Sequence, residues 1–156
     1  METVFALCAI LLLAFNLLGI VLAGWRLRRR DTENALVRQK PPVSIVVPLR
    51  GVENFTSLTL LRAFELDWPD YELLFCVADE FDPVVDEVRR TSAAFPAIPA
   101  QVLLGDDRIS ANPKLNNCVK GWRAARHEWV ILADSNVLMP KSYIATMMSA
   151  WRPDSG

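Results

Sequence analysis

The feature that most constrains this chain is a run of 21 residues, Val4 to Gly24, with no charge and a single strongly polar side chain, Asn16. As a helix it is long enough to span the roughly 30 Å hydrocarbon core of a bilayer. It has no polar face, so a water-soluble fold could not bury it as an amphipathic helix. Only Glu2 precedes the run, whereas Arg26, Arg28, Arg29 and Arg30 follow it. A cleaved signal peptide has the opposite order, with positive charge first and a shorter apolar core. Residues 1–30 therefore read as an uncleaved membrane anchor with a basic flank. Trp25 is suited to the interface, and the arginines place everything after them on the cytoplasmic side.

Set apart, the anchor also explains the hydrophobic content of 52%. Without its four arginines and Glu2, residues 31–156 carry 13 Lys+Arg against 17 Asp+Glu and are mildly acidic. That balance holds no basic footprint for a nucleic acid. Cys8, Cys76 and Cys118 are odd in number, far apart and set in apolar patterns. They read as small core residues of a reducing compartment and not as a disulfide frame or a metal site.

A polar linker, residues 31–42, ends at Pro41-Pro42, and one domain, 43–156, follows. Within it apolar strands alternate with amphipathic helices, the pattern of an α/β domain with a parallel sheet. The spacing predicts strands at Val43–Val47, Glu72–Val77 and Gln101–Leu104. A first helix is expected at about Phe55–Leu66, with Leu58 and Leu61 inward. A second opens at Asp82-Pro83 and carries Val84, Val85 and Val88. Asn112-Pro113 repeats the cap-and-proline start, with Leu115, Cys118, Val119 and Trp122 as the core face of the third helix. A last helix begins at Pro140, with Tyr143, Ile144, Met147 and Trp151 inward.

The fourth strand carries the chemistry. Val130-Ile131-Leu132-Ala133 is a continuous apolar run of the kind buried on both faces of a parallel sheet, and it leads into Asp134-Ser135-Asn136. Ligands of open α/β sheets bind outside the carboxyl ends of the strands. Asp134 fits such a site, and it fits equally a residue that caps the following turn. Two other strand ends share the same edge, Pro48-Leu49-Arg50-Gly51 and Asp79-Glu80. Asp79 and Asp134 could hold a divalent cation against the diphosphate of a nucleotide, with Arg50 nearby. Lys114, near a helix N-terminus, could add a charge to the same phosphates. Taken singly, Arg50 and Lys114 are equally solvated surface charges. The glycine fingerprints of dinucleotide and P-loop proteins are absent from the sequence, which argues against an oxidoreductase or a P-loop NTPase. His127, the single histidine, is placed at a helix C-terminus, where its charge has a structural use.

Several blocks in order resemble the ceramide glucosyltransferase family, including its bacterial, hopanoid-biosynthesis-associated members. They are Val43–Gly51, Phe64-Glu65-Leu66-Asp67-Trp68-Pro69, Leu74–Asp79, Asn112-Pro113-Lys114-Leu115-Asn116-Asn117 and Ala133-Asp134-Ser135. The resemblance covers about residues 42–150. It implies a GT-A, Rossmann-like nucleotide-sugar-binding fold, a UDP-sugar donor, Mg²⁺ or Mn²⁺, and a lipid acceptor at the membrane. It places Pro48, Leu49, Arg50 and Gly51 at the uridine end of the donor site. Asp79 matches the family's first aspartate and Asp134 its D-x-D position, both as metal and diphosphate holders. Asn112, Lys114, Asn116 and Asn117 would line the donor pocket.

Asn136 stands where the D-x-D has its second aspartate, which leaves fewer carboxylates for a metal. The family's general base and its R/Q-x-x-R-W block fall beyond residue 156, so no catalytic residue is expected here. The resulting expectation is the donor-binding N-terminal part of a hexosyltransferase, using UDP-glucose or UDP-N-acetylglucosamine and inactive as this stretch alone. The alternative is a truncated product acting as a membrane-tethered binding module.

Overall fold

The computed structural model describes residues 1–28 and 35–152, so Arg29, Arg30 and the first part of the expected linker lie outside the described residues. The apolar run forms helix α1, Glu2–Arg28. Its stretch Thr3–Trp25 has a mean hydropathy of 2.8 and is long and apolar enough to cross a membrane. Phe5, Leu11, Phe15 and Ile20 are all well exposed, so no polar face separates a buried side from a wet one.

Part of the expected linker is helical: α2 runs Ala35–Gln39. Leu36 and Val37 pack against the main core, beside the last helix, and this apolar pair fixes a helical turn that composition alone does not reveal. Lys40, at φ +44°, ends the turn. The Trp68 indole N–H donates to the Pro41 carbonyl at 2.9 Å, tying the segment to the domain.

The domain is built on four parallel strands in the order β3-β2-β1-β4, where β1 is Val43–Leu49, β2 Tyr71–Val77, β3 Ala100–Leu104 and β4 Trp129–Leu132. β1 and β2 pair along their whole length, from Val43 opposite Tyr71 to Leu49 opposite Val77. Every residue of both is buried, as expected of central strands with helices on both faces. Helices α3 (Thr56–Ala63), α4 (Val84–Ala94) and α6 (Tyr143–Ala150) share one core with one face of the sheet. There Phe64 stacks on Phe95 with ring centroids 5.2 Å apart. Helix α5 (Pro113–Ala124) covers the other face, over Val46, Leu74 and Cys76.

Four expectations about these elements change. β4 is not buried on both faces: among the described residues it pairs only with β1, and Leu132 is 57% exposed. As an edge strand it keeps one wet side despite its apolar run. In α5 the expected core face is rotated: Leu115 and Trp122 are exposed, Cys118 and Val119 are half-buried, and Asn116, Asn117 and Gly121 are buried. The cause is close approach of helix to sheet. A Cβ on Gly121 would overlap Val46 Cγ1 and come within 2.8 Å of Cys76 Sγ, so this glycine faces the strands. Trp122, one helical step of about 100° further round, leaves the sheet. In α6, Met148 and not Met147 joins Ile144 in the core, while Trp151 meets Trp129 edge-on at 5.2 Å. Helix α3 is also shorter than expected, and it buries Thr59, Leu60 and Ala63, while Leu58 and Leu61, expected inward, are exposed.

At the N-terminal edge of the sheet, fully buried Glu72 is surrounded by donors. Ser44 Oγ donates to it at 2.6 Å, the Arg126 amide at 2.9 Å and Arg126 Nε at 2.8 Å. Burial is the largest single influence and pushes the carboxyl up. The three hydrogen bonds and the Arg126 charge together outweigh it, so the group lies below its usual range. His127 belongs to this cluster and not to a helix end. It lies three residues past α5, and its amide donates to Ser44 Oγ at 3.2 Å.

Candidate functional site

The opposite, C-terminal edge gathers the polar strand ends. Pro48 and Leu49 are the buried last residues of β1, and Arg50 is exposed just beyond them. Gly51 turns the chain at φ +67°, a left-handed conformation that favours glycine. The Gly51 amide donates to Asp82 Oδ2 at 2.8 Å, while Asp82 Oδ1 accepts from the Val84 amide at 2.9 Å. Asp82, expected only as a helix cap, therefore also locks the turn after β1. A cleft opens here, lined by Leu49, Arg50, Gly51 and Thr56 on one side and by Ser135 and Asn136 on the other.

Asp134 follows β4. The Ala133 amide continues the ladder to the Val46 carbonyl at 2.9 Å, which brings Asp134 to the end of β1. The turn after it uses the Asp134 main-chain carbonyl, which accepts from the Val137 amide at 3.2 Å. Its carboxylate instead forms an ion pair with the Lys114 ammonium at the start of α5. Hydrogen bonding to Asp134 holds Lys114 above its usual value. The structure thus brings Lys114 and Asp134 together.

Asp79 stands apart. It is exposed two residues past β2, and its Oδ1 accepts from the Phe81 amide at 2.9 Å. β2 and β4 flank β1, so Asp79 and Asp134 approach the same edge from two strands about 10 Å apart. Among the described residues, no group of three or more His, Cys, Asp or Glu is clustered to hold a metal. A hard cation that keeps waters and binds through one or two carboxylates plus substrate phosphates fits two separated, solvent-open aspartates.

The block 112–117 does several jobs. Asn112 is the N-cap of α5, its Oδ1 accepting from the Lys114 and Leu115 amides at 3.0 and 3.3 Å. Buried Asn116 holds the preceding loop: Oδ1 accepts from the Ser110 amide and hydroxyl, both at 2.9 Å, and Nδ2 donates to the Ser110 carbonyl at 3.1 Å. Asn117 is 5% exposed, and its Oδ1 has no hydrogen-bond partner. Close by, burial raises the Cys118 thiol, and raises Cys76 under the helix to about 12, so both stay protonated. Sequence reasoning passed over Lys120, whose ammonium donates to the carbonyls of Val77, Leu103 and Gly105. Lysine at a helix position carries no pattern that distinguishes it from a solvated charge.

This arrangement, a parallel sheet with its polar strand ends on one edge and a capped helix across them, is the GT-A fold. The chain is similar to a mannosyltransferase from Pyrobaculum calidifontis solved in complex with GDP-Man and Mn²⁺, with a TM-score of 0.62 and 22% identity over 90% of this chain and 42% of that one. It is similar also to residues 1–349 of S. aureus TarS in complex with UDP-GlcNAc, at a TM-score of 0.54 and 16% identity over 68% of this chain and 30% of the other. The model of Glycosyl transferase family 21 matches residues 6–156, and the chain belongs to that family. Curated relatives include the ceramide glucosyltransferase of Komagataella phaffii, 34% identical over 99 residues that make up 61% of this chain and 19% of the relative. Ceramide glucosyltransferase 3 of Caenorhabditis elegans is 27% identical over 150 residues, 94% of this chain and 31% of its own length. The chain spans less than a third of either relative.

Proposed function

We propose that the chain is the donor-binding part of a membrane-anchored glycosyltransferase that moves a hexose from a UDP-sugar to a lipid hydroxyl. The observation that carries this reading is the Lys114–Asp134 pair at the carboxyl end of the sheet, in a chain of glycosyl transferase family 21. In this reading Pro48, Leu49, Arg50 and Gly51 border the uridine end of the donor. Asp79 and Asp134 hold Mg²⁺ or Mn²⁺, which when bound offsets the charge of the diphosphate. With donor and cation bound, Asp134 would hold the cation and Lys114 would meet the phosphates beside a helix N-terminus, in place of the ion pair they now make with each other. Asn112, Asn116 and Asn117 hold and line that pocket. The two carboxylates hold charge and move no proton.

In this reading helix α1 is the membrane anchor, and the GT-A domain that starts at Val43 lies on the cytoplasmic side, where it would meet a lipid acceptor. Support for the anchor is its length and unbroken apolar surface; support for a sugar donor and a lipid acceptor comes from the similarity to ceramide glucosyltransferases and to TarS in complex with UDP-GlcNAc. Calorimetric titration of UDP into the full chain in detergent, with and without Mn²⁺, tests the reading. Tighter binding with Mn²⁺ supports it, and no heat of binding in either condition sinks it.

A further inference from the structure

The Lys120 side chain is partly buried against the ends of two strands. It lies on α5, one helical turn below Asn117 and next to Gly121, where the helix presses against the strands. Its three N–H groups meet three main-chain carbonyls: Val77 at 3.1 Å, Leu103 at 3.3 Å, and Gly105. Val77 ends β2 and Leu103 is next to the end of β3, two strands that pair side by side. Gly105 is the first residue past β3 and sits at φ +105°. An ammonium has three donors and no acceptor, so these contacts saturate it. Lys120 is thus tied to the main chain of two strand ends.

What hangs from those carbonyls matters for the site. Asp79 is two residues beyond Val77. The loop beyond Gly105 carries Asp106, to which the amide and guanidinium of Arg108 donate, both at 3.2 Å, and which accepts from Asn116 Nδ2 at 3.4 Å. A charge-assisted clamp at the root of both loops limits how far either can swing. We infer that Lys120 is a positioning residue: it fixes the ends of β2 and β3 so that Asp79 is held facing the cation and diphosphate. This inference rests on the donor site described above and goes beyond it, since Lys120 itself touches neither cation nor donor.

Lys120→Met keeps the length of the side chain and removes every donor, and Lys120→Arg restores donors. The test compares both with the wild-type full chain in two measurements. The first is amide hydrogen exchange, which needs no ligand. In Lys120→Met, exchange is expected to rise about tenfold at residues 78–81 and 105–108, and to stay unchanged at the β1 and β2 starts around Ser44 and Glu72. The second is UDP affinity with and without Mn²⁺. Lys120→Met should lose about tenfold of the Mn²⁺-dependent gain and little of the affinity for UDP alone, with Lys120→Arg recovering it. Unchanged exchange at both loops, or a uniform rise across the sheet, overturns the positioning role. So does a Mn²⁺-dependent gain equal to that of wild type. If the wild type does not bind UDP at all, the donor reading falls, and the exchange experiment still decides whether Lys120 holds the loops.

Discussion

Gly121 is the tightest point of the fold, because a side chain there has nowhere to go except into Val46 and Cys76. Gly121→Ala is expected to cost about 1–3 kcal/mol through overpacking, more than the ~1 kcal/mol alanine gains in a helix. Chemical denaturation checks this, and Val46→Ala in the same chain should return part of the loss; an equally or more stable single variant would show that α5 can lift off without cost. Glu72 gives a pH signature. Its carboxyl is held below its usual range by Ser44 and Arg126, so its contribution is fully present above the ordinary carboxylate pKa of 4.5 and is lost as pH falls through the lower, folded value. Glu72→Gln should lose roughly 2 kcal/mol at neutral pH, since charged hydrogen bonds onto a fully buried group disappear. Below pH 4.5 its stability should fall less steeply than that of the wild type. Parallel pH curves would remove the charge from the explanation.

Helix α5 is the element that joins fold to site. Its Asn112 cap aims the first turn, its Lys114 meets Asp134, and its Lys120 binds the far ends of β2 and β3. Asn112→Ala should cost about 1 kcal/mol in thermal unfolding and loosen the Lys114–Asp134 pair, because two helix amides lose their acceptor. Much of the architecture was legible from period and punctuation. The strands β1, β2 and β3, the Asp82-Pro83 and Asn112-Pro113 starts and the parallel sheet follow from apolar runs and caps. Orientation was less legible. Val130–Leu132 has the same apolar run whether its strand is central or at an edge, and only the strand order separates the two. The stripe Leu115, Cys118, Trp122 has perfect helical spacing, yet a glycine three residues past Cys118 decides which face meets the sheet. Of the candidate site, the positions of Asp134 at a strand end and Lys114 at a helix start were legible, but not that the two side chains meet. The second role of Asp82, the Asn116 clamp and the Lys120 contacts could not, since each depends on loops far apart in sequence.

The whole molecule combines an apolar helix with an α/β domain whose polar strand ends share one edge. The anchor reading predicts that the full chain stays with membranes after a high-pH carbonate wash, on the strength of 23 residues with a mean hydropathy of 2.8. Release into the supernatant would make α1 something other than a spanning segment. In the donor reading Asp134 would hold the cation that bridges to the diphosphate, so removal of that carboxylate is its most direct test. In calorimetric titrations of the full chain with UDP in the presence of Mn²⁺, Asp134→Ala should bind at least about tenfold more weakly than the wild type. Equal affinity of the two proteins for UDP–Mn²⁺ would contradict the account.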